Sequence, residues 1–176
     1  MPMNHDAYSD AYIRDILASN RTIAIVGASP NASRPSYFAM KYLKQKGFTV
    51  IPVNPGQAGK EILGERVYAS LADIKGPVDI VDIFRSSDAA LGVTREAIRI
   101  GAKVVWMQLG VRNDEAAKLA EEAGLKVVMN RCPKIEYGRL SGELGWAGVN
   151  SRMLSSRRPI LGAKGVQHRV LKAAGD

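Results

Sequence analysis

The sequence predicts a doubly wound α/β fold, with helices on both faces of a five-stranded parallel sheet. Short apolar runs without charges recur along the first 138 residues, and helical segments separate them. Parallel strands require long crossover connections, and right-handed crossovers distribute the helices over both faces. The 176 residues suffice for one domain with a core, because 46% are hydrophobic and 24% are charged. These proportions argue against a disordered or membrane-spanning chain.

The first part of the chain alternates helix and strand. Residues 8–17 carry apolar side chains at helical spacing and predict an N-terminal helix. Residues 22–26 are β-branched and uncharged, as in a strand buried on both faces. Pro35 suits the first turn of a helix that ends at Gly47, and residues 48–53 form the second strand.

The same alternation continues to residue 129. Residues 70–73 have the Ser-x-x-Asp pattern of a capping box and predict a short helix. The later elements, in chain order, are a strand over 78–84, a helix from Ser87 or Asp88 to about Ile100, a strand over 103–109, a helix over 113–123 and a strand over 126–129. With the five strands numbered along the chain, we expect the order 3-2-1-4-5.

The loops that follow the strands contain Gly, Ser, Asn and Arg, which suit contacts with phosphate. Ligands of open α/β sheets bind beyond the carboxyl ends of the strands, where these loops converge. The loops are residues 27–36, 54–56, 85–87, 109–111 and 130–133. A nicotinamide dinucleotide is disfavoured, because residues 27–32 keep only the first glycine of the Gly-x-Gly-x-x-Gly fingerprint. The second strand also lacks a following Asp or Glu for the ribose.

The positive charge is concentrated at the C-terminal end of the chain. Residues 1–138 have a net charge of +3, whereas residues 139–176 have a net charge of +5 and many Gly and Ser residues. We therefore divide the chain into a folded domain over 1–138 and a basic, loop-rich arm over 139–176. The arm has little aromatic interleaving beyond Trp146, so nucleic acid is a disfavoured partner. We favour a solvated arm, or one that packs on a second subunit in a homodimer.

Cysteine and histidine are scarce. Cys132 is the only cysteine, so no intramolecular disulfide forms and no oxidising compartment is needed. Together with His5 and His168 it cannot build a closed zinc site, and we expect no metal. The N-terminal segment lacks the pattern of a signal peptide, and no apolar run is long enough to span a bilayer. We expect a cytoplasmic protein without a membrane partner.

Six short motifs stand in order at the ends of the predicted strands. They are Gly-Ala-Ser-Pro at 27–30, Arg-Pro-Ser-Tyr at 34–37, Ile-Pro-Val-Asn-Pro at 51–55, Val-Asp-Ile-Phe-Arg at 81–85, Met-Gln-Leu-Gly at 107–110 and Asn-Arg-Cys-Pro at 130–133. Over about residues 16–137 the sequence resembles the stand-alone bacterial CoA-binding domain proteins. These are similar to the N-terminal domain of the succinyl-CoA synthetase alpha subunit.

The resemblance implies a Rossmann-like domain with coenzyme A, or an acyl-CoA, lying across the carboxyl edge of the sheet. Carried over by position, the resemblance implies that each part of the ligand contacts a different loop. The phosphates would contact Gly27, Ala28 and Ser29, and the adenosine end would contact Val53, Asn54 and Pro55. Adenine and ribose would contact Ile83, Phe84 and Arg85, pantetheine would contact Gln108, Leu109 and Gly110, and the thiol end would contact Asn130 and Cys132. Charge and location add Arg34 and Lys41 as candidates for the nucleotide phosphates.

Three functions compete. We favour a non-catalytic carrier or sensor, because the phosphorylated histidine of the synthetase has no counterpart: neither His5 nor His168 lies in a matching motif. The alternatives are the CoA-site component of a separately encoded acyl-CoA ligase or transferase, and a redox-responsive nucleotide- and nucleic-acid-binding protein. Cys132 is interpreted as a small residue ending a strand rather than a redox thiol. Arg85 either binds phosphate or neutralises a helix start.

Overall fold

The computed structural model describes residues 3–142 and contains the predicted parallel sheet. Its five strands lie in the order β2-β1-β5-β6-β7, and all neighbours are parallel. A separate two-stranded hairpin, β3 and β4, interrupts the chain between β2 and β5. The strands are β1 Thr22–Val26, β2 Thr49–Val53, β3 Glu61–Ile62, β4 Glu65–Arg66, β5 Ile80–Ile83, β6 Val104–Met107 and β7 Lys126–Val128. The Rossmann-like α/β fold class is confirmed.

The predicted strand order was wrong in one respect. With the five sheet strands numbered along the chain, the order is 2-1-3-4-5 and not 3-2-1-4-5, because β1 pairs directly with β5. The physical reason lies in Pro52, which has no N–H to donate. Thr49 N–H and Val53 C=O bond toward β1, so the position of the missing N–H faces away from it. Strand β2 therefore lies at an edge, where Tyr68 is the one residue among 3–142 that pairs with its outer side.

Five helices accompany the sheet in the described part of the chain, residues 3–142. They are α1 Asp10–Ser19, α2 Pro35–Gln45, α3 Ala90–Arg99, α4 Asp114–Glu122 and α5 Pro133–Leu140. The first four confirm the predicted helices with small shifts at their ends. The capping-box pattern produces only a 3-10 turn over Leu71–Asp73, in which Ser70 bonds to Asp73. No helix among residues 3–142 is long and apolar enough to cross a membrane.

Helix α5 was not predicted, and it includes Arg139, which the sequence placed in the arm. Its buried side is polar: Arg139 donates to Glu136 at 3.1 Å and to Asp10 at 2.8 Å, so the helix lacks an apolar stripe. Burial raises the pKa of Glu136, and the Arg139 guanidinium opposes that rise. The remainder of the predicted arm, 143–176, and the homodimer contact expected there lie outside the described residues.

The helices cover both faces of the sheet. Helices α1, α2 and α5 pack on one face, whose strand residues include Ile23, Ile25 and Trp106. Helices α3 and α4 pack on the other face, over residues such as Ala24 and Val105. Because alternate residues of each strand enter different cores, every central strand is buried on both sides.

Two tyrosines of the N-terminal segment close the free edge of β7. Tyr12 Oη donates to Val127 C=O at 2.9 Å and accepts from Val127 N–H at 3.1 Å. Tyr8 Oη accepts from Met129 N–H at 2.8 Å. Burial raises the pKa of Tyr8 to about 12, so its hydroxyl stays neutral. The phenols thus occupy backbone groups that an edge strand would otherwise present to another chain.

Candidate functional site

A cavity opens at the carboxyl edge of the sheet, beyond the ends of β1, β2, β5 and β6. Its volume is about 540 Å³. Seven predicted site residues line it: Gly27, Ser29, Arg34, Asn54, Phe84, Gln108 and Leu109. Pro35, Ser36 and Val111 complete the lining. All three belong to loops that the sequence predicts at this edge, residues 27–36 and 109–111, although none was named as an individual site residue.

The loop after β1 needs glycine at its first position. Gly27 has φ +94°, and its N–H donates to Val53 C=O at 2.9 Å. A Cβ atom at Gly27 would lie 2.4 Å from Phe84 C=O and 3.0 Å from Arg85 Cδ. Both the backbone conformation and this close approach exclude a side chain. The glycine lets the loop after β1 lie directly against the loop after β5.

Asn54 fixes the loop after β2 to the loop after β1. Its Nδ2 donates to Ala28 C=O at 2.8 Å, and its Oδ1 accepts from Gly56 N–H at 3.0 Å. Because one Nδ2–H and the Oδ1 atom form hydrogen bonds within the protein, Asn54 holds the loop after β2 against the loop after β1. It also lines the cavity, so it keeps contact with any occupant.

The start of α2 gives the cavity an end rich in hydrogen-bond donors. Ser36 Oγ accepts from Ser29 N–H at 3.2 Å, which leaves the hydroxyl hydrogen of Ser36 unused. Within residues 3–142 the backbone N–H of Ser36 has no acceptor, and the Arg34 guanidinium has no ion-pair partner. The helix dipole adds positive potential at this end. These groups together form an environment suited to an anion.

The opposite end of the cavity is formed by the loop after β6. The side chain of Leu109 is exposed (55%), although it is large and apolar. Gln108 is only 9% exposed, and its Oε1 atom is buried without a hydrogen-bond partner among the described residues. The backbone of this loop is held by the bond from Val111 N–H to Gln108 C=O at 2.7 Å. This end therefore offers an exposed apolar surface.

The segment after β7 supports that loop but does not line the cavity. Asn130 adopts φ +58°, and its Oδ1 accepts from Gly110 N–H at 2.7 Å. Its own N–H donates to Val111 C=O at 3.1 Å. Cys132 is a free thiol, 9% exposed, at the residue before α5. Neither Asn130 nor Cys132 is among the residues that line the cavity.

The other predicted site residues surround the cavity at different depths. Ala28, Val53 and Ile83 are buried beneath it in the core, whereas Pro55, Arg85 and Gly110 lie on exposed loops around it. Lys41 is exposed on α2, outside the lining of the cavity. Of the two predicted phosphate ligands, only Arg34 lies at the cavity itself.

Asp82 is an unusual acid in the middle of the sheet. It lies between Ile25 and Trp106 on the neighbouring strands, is 0% exposed, and both carboxyl oxygens lack a partner among residues 3–142. Desolvation by burial raises its pKa well above the ordinary value. Asp79 lies at the other end of the strand and accepts from the N–H groups of Arg21 and Thr22. Asp79 and Asp82 therefore do not form a catalytic pair.

Comparison with known proteins identifies the family of the chain. Residues 21–138 match the family model described as CoA binding domain. The chain belongs to the CoA-binding domain family. The resemblance stated from the six motifs is therefore confirmed, although the family match by itself assigns no role to individual residues.

Individual relatives include both small proteins and part of a larger enzyme. The uncharacterized protein YneT of Bacillus subtilis is 39% identical over 129 residues, which are 73% of this chain and 94% of YneT. A solved structure of a hypothetical protein from Pyrococcus horikoshii is 43% identical, with a TM-score of 0.74 over 81% of this chain and 97% of that one. An ADP-forming acetate–CoA ligase of Archaeoglobus fulgidus is 29% identical over 65% of this chain, but only 17% of the ligase.

Proposed function

We propose that this protein binds coenzyme A or an acyl-CoA in the cavity at the carboxyl edge of the sheet, as a cytoplasmic carrier or sensor without catalysis of its own. One observation carries the proposal: the two ends of the cavity differ in chemistry. Arg34 and the first turn of α2 provide donors at one end, and Leu109 provides an exposed apolar surface at the other. Coenzyme A has a matching division into a phosphorylated nucleotide and an uncharged arm.

The nucleotide end of the ligand fits the start of α2. Phosphate oxygens accept hydrogen bonds from backbone N–H groups at helix N-termini, and Arg34 adds a charge-assisted donor. Gly27 lines the same cavity, and its lack of a side chain lets the loop after β1 lie against the loop after β5. The aromatic ring of Phe84 lines the same cavity and offers a surface for adenine.

The absence of an acid–base pair supports a binding role. The residues that line the cavity in the described part of the chain include no Cys, His, Asp, Glu or Lys. General acid–base catalysis requires such a group within reach of the reacting atoms, and the hydroxyls of Ser29 and Ser36 in the lining would need one as a base in order to act as nucleophiles. The arrangement can hold a thioester or a free thiol, but its lining residues offer no group to transfer the acyl moiety.

Calorimetric titration against coenzyme A, acetyl-CoA, ADP and NADH tests the proposal. We expect saturable binding of coenzyme A and acetyl-CoA with one site per chain, and weaker binding of ADP, which lacks the arm. Binding of NADH without a coenzyme A signal would overturn the proposal. Native mass spectrometry of the same mixtures provides an independent stoichiometry.

A second candidate is a CoA-site component of a separately encoded acyl-CoA ligase or transferase. It is favoured by the ligase relative, in which the matching region forms only 17% of the chain. Affinity purification from native extract, followed by an acyl-CoA synthesis assay on the eluate, tests it. An eluate without such an enzyme, from extract that contains the activity, excludes this candidate.

A further inference from the structure

Helix α2 turns an exposed and positively charged side away from the sheet. Phe38, Lys41 and Gln45 are exposed and follow Arg34 at intervals of four, three and four residues. Side chains at this spacing share one side of a helix, so the four form a stripe along α2. The buried side chains of the helix lie on the opposite side and enter the core.

The protein does not neutralise the charge of this stripe. Residues 16–60 contain six basic residues and no acidic one. Lys44, on the flank of the helix, pairs with Glu65 of the hairpin at 2.8 Å. Arg34 and Lys41 make no ion pair in the described part of the chain. The two cations are therefore available to an acidic group from outside the domain.

Helix α5 extends the positive surface beside α2. Lys134 is exposed, and its Nζ atom lies 5.9 Å from the centroid of the Tyr42 ring. Tyr42 follows Phe38 by one turn of α2, so Lys134 lies next to the stripe. No ion pair engages Lys134 among residues 3–142. We call the surface formed by Arg34, Phe38, Lys41 and Lys134 the basic face.

Phe38 is the apolar centre of the basic face. Its side chain is 51% exposed, and its ring meets the edge of the Tyr37 ring at a centroid distance of 6.5 Å. A single exposed apolar residue is common on protein surfaces, but this one lies among cations without acidic partners. Exposed aromatic side chains and arginines are the residues that protein–protein interfaces enrich. The basic face therefore has the composition of a docking surface.

We propose that the basic face docks an acidic polypeptide, whose carboxylates pair with Arg34, Lys41 and Lys134 while an apolar side chain packs on Phe38. Charge complementarity favours such a partner, because opposite charges steer association and fix the orientation of the complex. A second copy of this chain is disfavoured, because each copy carries a net charge of +8 and the two repel.

Two other anionic partners use the basic face less well. Nucleic acids gain affinity from many phosphate contacts and from bases that stack on several aromatic rings. The basic face offers three unpaired cations and one exposed ring. An anionic membrane gains about 1 kcal/mol from each nearby Lys or Arg, so three of them give only weak attachment. An acidic polypeptide uses both the cations and the phenyl ring in one geometry.

The inference does not depend on what the cavity binds. Arg34 lines the cavity, whereas Phe38, Lys41 and Lys134 lie outside its lining. Substitutions at these three residues therefore test docking without removing a residue that we assign to the ligand.

Photocrosslinking from position 38 tests the inference. In the full chain, p-benzoylphenylalanine replaces Phe38, and in a control protein it replaces Lys118, which is exposed on α4 on the other face of the sheet. Both proteins are irradiated in native extract, and the adducts are identified by mass spectrometry. We expect an adduct at position 38 that is absent at position 118, and a crosslinked segment with more Asp and Glu than Lys and Arg.

A synthetic peptide with the sequence of the crosslinked segment then measures affinity. We expect Phe38→Ala, and separately the double variant Lys41→Ala and Lys134→Ala, to weaken binding of this peptide by about tenfold. Lys118→Ala is the matched control, for which we expect a change of less than about twofold. Coenzyme A is titrated against the same variants, and its affinity should change by less than about twofold.

The outcomes separate docking from the proposed function. No adduct at position 38, or equal adducts at both positions, would overturn the inference. An adduct that nuclease removes, a lipid adduct, an adduct with a second copy of the chain, or a crosslinked segment without acidic excess would also overturn it. Equal peptide affinities for the double variant and Lys118→Ala would do the same. If the unsubstituted protein does not bind coenzyme A, the proposed function is wrong and the docking inference stands.

Discussion

The two ends of the cavity differ in how their polar groups are hydrogen-bonded. The donor end, formed by residues 27–36, leaves the Ser36 N–H and the Arg34 guanidinium without acceptors in residues 3–142. The braced end, formed by residues 108–111 and 129–132, is tied together by hydrogen bonds: Asn130 Oδ1 accepts from Gly110 N–H, and Trp106 Nε1 donates to Arg131 C=O at 2.9 Å. Under the proposed function, we expect the phosphates of the ligand to bind at the donor end.

The burial of the residues explains why hydrogen bonding differs between the two ends. Arg34 is exposed, so water satisfies its guanidinium until a ligand arrives, and leaving it unpaired costs little. Trp106 is completely buried, so its indole N–H needs a protein partner. Within residues 3–142, Gln108 Oε1 is the buried side-chain atom of the braced end that has no hydrogen-bond partner. We therefore expect substitutions at the donor end to change binding broadly, and those at the braced end to change stability.

The largest effect is expected from Gly27→Ala, which breaks the donor end. Gly47→Ala is the matched control, because Gly47 has φ +97° but no atom within 4 Å of a new Cβ. Both variants carry the strain of a left-handed alanine, but only Gly27→Ala meets Phe84 C=O at 2.4 Å. We expect its free energy of unfolding in urea to fall by at least about 2 kcal/mol more than that of the control. Equal losses would contradict the close approach.

Asp82 lies on β5, the strand between the two ends, and its buried carboxyl oxygens have no partner among residues 3–142. Its pKa is raised in the folded state by burial, so folding favours its protonated form. The stability that protonated Asp82 contributes is complete at pH values below its pKa in the unfolded chain. It is lost as the pH rises toward its pKa in the folded protein. Relative to Asp82→Asn, we expect the free energy of unfolding to fall by about 1.4 kcal/mol for each pH unit from about pH 4 upward. Parallel pH profiles of the two proteins would contradict this.

Arg34→Ala tests whether the anionic part of the ligand binds at the donor end. Lys41→Ala removes a charge from the same helix, but Lys41 does not line the cavity. We expect Arg34→Ala to weaken coenzyme A binding by about tenfold, and Lys41→Ala by less than about twofold. Added salt should reduce the Arg34 effect, because exposed charges are screened. Similar losses in both variants would indicate a general electrostatic attraction instead.

The smallest effect is expected from Tyr8→Phe, which loosens the braced end. The substitution leaves Met129 N–H without its acceptor, next to Asn130. We expect a loss of about 1 kcal/mol in the free energy of unfolding. Tyr37→Phe is the control, because the hydroxyl of Tyr37 makes no hydrogen bond in the described part of the chain. A loss in Tyr37→Phe as large as in Tyr8→Phe would contradict the bracing role.

Prediction from sequence succeeded where the signal is local. The five strands are apolar runs bounded by turn residues, so their positions were predictable. The convergence of their loops followed from parallel pairing, and it placed seven predicted residues around one cavity. Helix α5 was not predicted, because its buried residues include Glu136 and Arg139, which bond to each other, and so it has no apolar stripe. The edge position of β2 was readable in principle from Pro52, a residue unsuited to a central strand.

The sequence by itself therefore determined the fold class, the family and the edge of the sheet at which the cavity opens. These depend on periodicity, turn residues and short motifs, which act between neighbours in the chain. Only the tertiary structure decided which polar groups stay unpaired. Gly110 finds its acceptor 20 residues away in Asn130, and Met129 finds its acceptor 121 residues away in Tyr8. Whether a donor or acceptor is left for a ligand depends on such distant partners, and no local pattern records them.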